Sequence, residues 1–262
     1  NRFQQCGVDI CPLGGAAISF LNTSIVIAEN VIHSCHAHGY AGGILGEYSQ
    51  AQIRRNVIAD CSGFHGAGGL KLNSVSGDMT GNLILGNETT GFTGGGMSLS
   101  DIDADLRIRF CTIIGNDASY PDLGRGGGLY AASAPGLTIE HCVFWGNTAG
   151  DEGPQISGGP EVTVRYCDVE GGYAGDGNIN AYPRFVDPDG PDGDPETWED
   201  NDYRLLSDSP CINAGDPLFV PEPGETDFAG HARLLCEYVD IGAYEFGIGD
   251  YNCDRTVDLA DF

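Results

Sequence analysis

Residues 68–87 read GGLKLNSVSGDMTGNLILGN, and this stretch contains one copy of a unit that recurs along the chain. It begins with a Gly-Gly-apolar step and later has an Asn-apolar-apolar step at Asn82. Apolar and polar side chains alternate between Leu70 and Leu72, as expected for a strand with one buried face. The glycine step occurs again at Gly42-Gly43-Ile44, Gly95-Gly96-Met97 and Gly127-Gly128-Leu129.

A second step keeps a similar period over most of the chain. Its copies are Asn30-Val31-Ile32, Asn56-Val57-Ile58, Asn82-Leu83-Ile84, Cys111-Thr112-Ile113, Cys142-Val143-Phe144 and Cys167-Asp168-Val169. Their first residues are separated by 26, 26, 29, 31 and 25 positions. A period between roughly 20 and 50 residues is typical of stacked, one-dimensional architectures.

The alternation within each unit indicates the kind of stack. Short strand patterns appear at Met97-Ser98-Leu99 and at Ile108-Arg109, and no helical periodicity persists for more than a few residues. Strands that repeat in one direction must pair in parallel, and connections too short for a helix leave a winding coil. We therefore predict an all-β fold, a right-handed parallel β-helix whose hand follows from strand twist.

Equivalent positions in successive turns should form vertical columns. Asn30, Asn56 and Asn82 are expected to make an amide ladder at one bend, where stacked amides satisfy one another. The same column continues as Cys111, Cys142 and Cys167. A second bend is predicted to align Cys35 and Cys61 with Asn87, Asn116 and Asn147. We favour a Cys35–Cys61 disulfide over any bridge in the three-cysteine column, since adjacent turns lie within disulfide range.

Composition restricts the classes of partner. The net charge is −26, from 38 acidic and 12 basic residues, so nucleic acid and anionic membranes are poor partners. No apolar run approaches the length that spans a membrane. Ten cysteines in so acidic a chain favour an oxidising, extracellular or cell-surface location.

Some phrases resemble those of known families. Gly14-Gly15-Ala16-Ala17-Ile18 and Phe144-Trp145-Gly146-Asn147 resemble repeats of β-helical bacterial surface proteins. Residues 202–206, 209–216 and 240–246 resemble the closing segment of secreted right-handed β-helix proteins of the choice-of-anchor type. This resemblance implies an exported, surface-associated protein of the pectate-lyase-like class. It implies no particular reaction, because that fold carries many activities.

The chain is accordingly divided into three parts. Residues 1–180 are the predicted β-helix, 181–246 a capping or anchor-associated segment, and 247–262 the first half of a dockerin-like EF-hand repeat. An outward apolar row predicted beside the ladder needs cover, and part of 181–246 should lie over it or cap the last turn. That row contains Val31, Val57, Leu83 and Val143. We also expect Cys211 and Cys236 to staple this segment.

The C-terminal residues have the spacing of a calcium loop. Counting Asp250 as position 1, oxygen donors fall at positions 1, 3, 5, 7, 9 and 12, as in an EF-hand. These donors are Asp250, Asn252, Asp254, Thr256 (through its carbonyl), Asp258 and Asp261. The closing Asp261-Phe262 resembles a dockerin loop, which implies a cohesin-like partner. Arg255 replaces the usual glycine, and one loop is present where a dockerin has two. The alternative is an acidic tail without metal.

Two further groups of residues are candidates for metal binding. Residues 187–202 are rich in acids and could wrap a cation or form a solvated loop, and these alternatives stay open. His33, His36 and His38 lie close in sequence, but no carboxylate or cysteine completes a site with them. Calcium at the C-terminal loop is therefore the only cofactor that the sequence predicts.

A catalytic site is harder to find in the sequence. Lys71 is the only lysine and should face outward near Glu47, Asn73, Ser98 and Tyr130, with His65 in the preceding loop. Such a set could supply the base and acid of a lyase acting on acidic polysaccharide. The ordinary interpretation is a solvated polar strand face. Arg54, Arg109 and Arg165 are interrupted by Thr80 and Glu140, and so make no continuous track for a polyanion.

Three functions remain in competition. The leading hypothesis is an extracellular scaffold or adhesin, including carbohydrate binding, attached through a calcium-binding C-terminal tail to polysaccharide or cell-surface matrix. The second is a polysaccharide lyase or hydrolase. The third is a filament subunit that self-associates through the ends of its coil.

Overall fold

A computed structural model describes residues 1–4, 7–8, 17–102, 105–194, 197–235 and 238–247. Throughout these ranges the regular elements are strands, and no helix is present. The strands stack in about six turns of a right-handed coil, each pairing in parallel with its equivalents in the turns before and after. The predicted fold class, a right-handed parallel β-helix, is therefore confirmed.

The first face of the coil, sheet 1, has seven parallel strands. They are Arg2–Gln4, Val31–His33, Val57–Ala59, Leu83–Leu85, Thr112–Ile114, Val143–Trp145 and Asp168–Val169. Their register places Ile58 opposite Ile32 and Ile84 opposite Ile58. The central residue of each of these triplets points inward, and Ile32, Ile58 and Ile84 are fully buried.

Sheet 2 has ten strands. Most turns contribute two short strands to it, and in two turns these are joined into one long strand. They are Ile18–Leu21, Ser24–Ala28, Ile44–Arg54, Leu70–Thr80, Met97–Ser100, Leu106–Arg109, Leu129–Ala132, Leu137–Glu140, Ile156–Gly158 and Thr163–Arg165. Tyr48 and Ser74 have positive φ values of 48° and 52°, which bend the long strands at the corner.

Sheet 3 is the narrowest face, with six strands of two residues each. They are Gly7–Val8, His36–Ala37, Ser62–Gly63, Glu88–Thr89, Asp117–Ala118 and Thr148–Ala149. Outside the coil, Phe185–Asp187 and Asp202–Leu205 form an antiparallel pair.

Both predicted asparagine ladders are present. Asn30 Nδ2 donates to Asn56 Oδ1 and Asn56 Nδ2 to Asn82 Oδ1, each at 3.0 Å. At the second bend, Asn116 accepts from Asn87 and donates to Asn147, with both bonds at 2.9 Å. Because the amides also bond to backbone groups, each ladder holds together the buried bends of neighbouring turns.

The cysteine column replaces the first ladder without disulfides. The backbone N–H of Asn82 points to Cys111 Sγ, that of Cys111 to Cys142 Sγ and that of Cys142 to Cys167 Sγ, each at 3.4 Å. Burial raises the pKa of both Cys111 and Cys142 well above the ordinary thiol value. These side chains are therefore neutral thiols that fill the position of an amide.

The predicted Cys35–Cys61 disulfide is wrong for this structure. Cys61 is a free thiol, and a side-chain hydrogen bond with Cys35, followed by burial, raises its pKa. Its sulfur also lies 3.2 Å from the carbonyl oxygen of Ala59. Adjacent turns bring the two sulfurs together, but a hydrogen bond satisfies them without a covalent link. Cys211 is also a free, buried thiol, and its predicted partner Cys236 lies outside the described residues.

The segment that follows the coil, from residue 181 to 246, covers sheet 1 where it is described, as the outward apolar row indicated, and we call it the covering segment. Val57, Leu83 and Val143 form a second hydrophobic cluster with residues from this segment. Those residues include Phe185, Tyr203, Leu205, Cys211, Ile212, Ile241 and Ala243. Where Thr112 interrupts the row, its Oγ1 accepts a hydrogen bond of 3.1 Å from the backbone N–H of Ala243.

The last turn is capped from within the part assigned to the coil. The backbone N–H of Tyr166 donates to the carbonyl of Asp176, and that of Ile179 to the carbonyl of Cys167, both at 2.8 Å. Asn178 Nδ2 donates to the carbonyl of Val164 at 3.1 Å. These contacts occupy backbone groups of the last turn that would otherwise stay unpaired, while Tyr173 packs against the core.

Candidate functional site

The predicted calcium loop is not part of the described structure. All six of its donors, Asp250, Asn252, Asp254, Thr256, Asp258 and Asp261, lie outside the described residues. Elsewhere in the described ranges, no group of three or more His, Cys, Asp or Glu side chains is arranged to hold a metal ion. Calcium binding at the C-terminal loop stays a prediction.

The three clustered histidines point to different neighbours. His33 is buried, accepts a hydrogen bond of 3.1 Å from Arg2 Nε and packs edge-on against Trp198. His36 bonds to Ser62 through Nδ1 at 2.8 Å, and His38 is exposed. These contacts are structural.

In the acidic segment, the Asp192 carboxylate accepts hydrogen bonds from residues close to it in sequence. It accepts from Thr197 Oγ1 at 2.7 Å and from the backbone N–H of Asp194 at 2.9 Å. The hydrogen bond from the Thr197 hydroxyl is the main reason that the pKa of the Asp192 carboxyl is lowered. This part of the segment is built as a turn that its own side chains stabilise.

Lys71 lies on the solvent side of sheet 2, where the sequence placed it. The strand register places Lys71 opposite Ser98 in the next turn, and Ser98 opposite Tyr130 in the turn after that. Asn73, two residues after Lys71, lies opposite Glu47 in the preceding turn. Its Nζ lies 4.6 Å from the centre of the Tyr40 ring. Burial lowers the pKa of Lys71, and the charge of Glu47 opposes that effect.

His65 packs edge-on against Phe64 in the loop before this strand, with 4.6 Å between ring centres. The predicted arginine row has the expected register, with Thr80 between Arg54 and Arg109. Arg109 pairs with Glu225 at 3.5 Å, and Arg165 pairs with Glu140. The charges of Arg109 and Arg165 are therefore compensated within the protein.

A cleft at the border of sheets 1 and 3 brings together residues that the sequence did not connect. It has a volume of about 530 Å³ and lies between the coil and the covering segment. One wall is aromatic and the other acidic, and we call it the aromatic–acidic cleft. Its aromatic residues are Trp145, Tyr182, Phe185 and Tyr203, and its acidic residues are Asp60, Glu88, Asp117 and Asp189.

The aromatic wall is made by sheet 1 and the covering segment. Trp145 and Tyr182 meet edge to face, with 5.7 Å between ring centres, and Tyr182 is 52% exposed. Phe185 and Tyr203 are buried behind them and also pack edge to face, at 5.5 Å. Asn201 Nδ2 donates to the Tyr203 hydroxyl at 3.1 Å, and burial raises the pKa of Tyr203. That phenol therefore stays protonated.

The acidic wall follows the corner between sheets 1 and 3. Glu88 and Asp117 are in register on adjacent turns of sheet 3, so their side chains stack along the coil axis. Asp117 accepts hydrogen bonds from Ser119 and Thr148, and Asp60 accepts one of 2.8 Å from Ser34 Oγ. Gly86 and Gly115, with φ values of 56° and 65°, occupy the corner without side chains and keep the cleft open.

The residues that line this cleft offer a ligand two kinds of contact. Aromatic rings offer flat apolar contact, and carboxylates accept hydrogen bonds from hydroxyl groups. No Lys, Arg or His is among the described residues that line it, so an anionic ligand meets uncompensated negative charge.

Comparison with known families agrees with the architecture. Residues 1–175 match the family described as the right handed beta helix region. The chain belongs to this family. No curated protein and no solved structure matches it. In the described part of this β-helix protein, no helix is long and apolar enough to cross a membrane.

Sequence reasoning missed the cleft of this β-helix protein for an identifiable reason. Its walls combine Asp60 with Tyr203, which are far apart in the chain and meet only because the covering segment folds back. One signal was available: Trp145 stands in an outward position where other turns of sheet 1 have Ala59 or Leu85.

Proposed function

We propose that this protein is an extracellular β-helix scaffold or adhesin that binds neutral carbohydrate in the aromatic–acidic cleft. The observation that carries the proposal is the pairing of an aromatic wall, the half-buried Trp145 and the exposed Tyr182, with the stacked acceptors Glu88 and Asp117. Sugar rings have apolar faces and a rim of hydroxyl groups. They match such a site in both respects.

The charge of the cleft selects among glycans. Acidic residues without a nearby base favour neutral sugars over uronate-containing chains. The predicted calcium loop at residues 250–261 is proposed to attach the protein to its partner. Together with the acidic composition, it supports an exported, surface-associated protein with a cohesin-like or matrix partner.

Calorimetric titration with soluble neutral and uronate-containing oligosaccharides tests the cleft. We expect binding of a neutral glycan, with Tyr182→Ala weakening it about tenfold and Asp117→Asn weakening it less. Tyr48→Ala removes an equally exposed ring outside the cleft and serves as the matched control. Neutral-glycan binding that survives Tyr182→Ala unchanged, or binding only of uronates, would contradict the proposal.

A second candidate is a polysaccharide lyase centred on Lys71. Burial lowers the pKa of this lysine, which is the direction that a general base requires, and its Nζ lies 4.6 Å from the centre of the Tyr40 ring. Activity on uronate-containing polysaccharide that disappears in Lys71→Ala would support it. The third candidate, end-to-end self-association, would have to displace the residues that cap the last turn, including Asn178.

A further inference from the structure

Three large aromatic side chains stand exposed at the corner between sheets 3 and 2, on the other side of sheet 3 from the cleft. Phe64, Phe92 and Tyr120 are 46%, 53% and 43% exposed. They belong to three successive turns of the coil, and we call them the aromatic stripe. Leu123, 50% exposed, follows Tyr120 in the same loop.

The backbone holds this stripe in place. The N–H of Phe64 donates to the carbonyl of Ala37 at 3.2 Å, and that of Arg125 to the carbonyl of Phe92 at 2.9 Å. The rings of Phe92 and Tyr120 meet edge to face, with 5.1 Å between their centres. The backbone on which these rings stand is therefore fixed to the neighbouring turns of the coil.

Packing of the protein itself does not account for the stripe. The two hydrophobic clusters contain none of these three rings, and each is about half in water. Contiguous exposed aromatic surface on a soluble protein indicates an interaction site. The same corner in the preceding turn carries the exposed His38, so the fold tolerates a polar residue there.

The surroundings of the stripe indicate what it binds. Arg125 pairs with Asp151 at 3.1 Å, so its charge is compensated within the protein. The net charge of −26 opposes anionic partners further. Phe92 and Tyr120 stand on successive turns, which are about 4.8 Å apart, and their rings lie at 80° to each other. A linear chain that runs along the coil axis therefore meets the face of one ring and the edge of the other.

We infer that the aromatic stripe is a second carbohydrate site, which takes a linear neutral polysaccharide running parallel to the coil axis. Sugar C–H faces stack on the rings, whose π faces carry partial negative charge. Ring hydroxyls reach the polar groups beside the stripe, including His65 and the Arg125–Asp151 pair. This site is independent of the aromatic–acidic cleft, and either can exist without the other.

Affinity electrophoresis in gels containing a soluble neutral polysaccharide, such as a β-glucan or a mannan, tests the inference. The parent protein carries Tyr182→Ala, which weakens binding in the cleft in every variant alike. Adding Phe92→Ala and Tyr120→Ala should weaken the remaining binding at least tenfold, whereas adding Tyr48→Ala should leave it unchanged. Thermal unfolding of each variant should match the parent, because all these rings are exposed.

Two outcomes overturn the inference. The first is residual polysaccharide binding that the stripe substitutions leave unaltered. The second is concentration-dependent dimerisation in sedimentation experiments that the same two substitutions abolish, which would make the stripe a protein contact. A change in binding caused by Tyr182→Ala alone tests the cleft, and a further change caused by the stripe substitutions tests the stripe. Failure of one proposal can therefore be told from failure of the other.

Discussion

At the residue scale, this protein shows how burial decides the behaviour of an ionisable group. Asp168 occupies the outward column of sheet 1, where Val143 stands in the preceding turn, and it is fully buried. It accepts hydrogen bonds from the backbone N–H of Ala181 at 3.1 Å and from Cys211 Sγ at 3.3 Å. Burial raises the pKa of Asp168 from 3.8 to about 6, despite those bonds.

Replacement of this carboxyl should stabilise the protein at neutral pH. Because its folded pKa lies above the unfolded value, the neutral acid is favoured, and its stability contribution is lost as pH rises through about 6. Asp168→Asn should therefore raise the free energy of unfolding at pH 7 by about 1–3 kcal/mol, and by much less below pH about 4. Urea denaturation at both pH values measures this, with the exposed Asp176→Asn as control. An equal effect at both pH values would contradict the mechanism.

At the element scale, columns of bends connect the turns of the coil. Asn56 is the centre of the first ladder: it accepts from Asn30 and donates both to Asn82 and to the carbonyl of Ile27. Later in the same column, Cys111 accepts from the backbone of Asn82 at 3.4 Å. Amide and thiol are therefore alternative solutions for one buried bend, and the amide makes more hydrogen bonds.

Substitutions at Asn56 should separate these two solutions. Asn56→Ala leaves buried donors and acceptors in two neighbouring turns without partners, at a cost of about 3 kcal/mol in unfolding free energy. Asn56→Cys should cost less, because a thiol can accept the backbone N–H as Cys111 does. Chemical denaturation under reducing conditions gives both values. Equal losses in the two variants would show that the hydrogen bonds of the column are not what stabilises it.

At the scale of the whole molecule, a buried charge cluster attaches the covering segment to the coil. Arg233 is fully buried, pairs with Glu245 at 3.1 Å and lies 4.2 Å over the Phe110 ring. Burial raises the pKa of Glu245, although the arginine opposes this shift. Phe110 also stacks on His141, whose Nε2 accepts from the backbone of Asp216 at 3.0 Å.

Removing one member of the pair should loosen the cover. Arg233→Leu leaves Glu245 buried without its partner and should cost about 3–5 kcal/mol, whereas Arg233→Leu with Glu245→Leu should recover most of that loss. Limited proteolysis between residues 214 and 235 should be faster in the single variant. A double variant as unstable as the single one would mean that the arginine acts through Phe110 instead. Because the covering segment forms one wall of the cleft, the proposed carbohydrate binding should decline together with its attachment.

The chain by itself determined the repeating architecture. Short-period alternation and a period near 26 residues specify parallel strands, inward columns and the ladders at Asn56 and Asn116, since each depends only on equivalent positions. The same reasoning identified the outward row at Val57 that required cover. Only the tertiary structure decided what no periodicity encodes: that Cys35 and Cys61 share a hydrogen bond, and that the covering segment places Tyr182 opposite Asp117. Those contacts join non-repeating segments, whose meeting depends on packing against the finished coil.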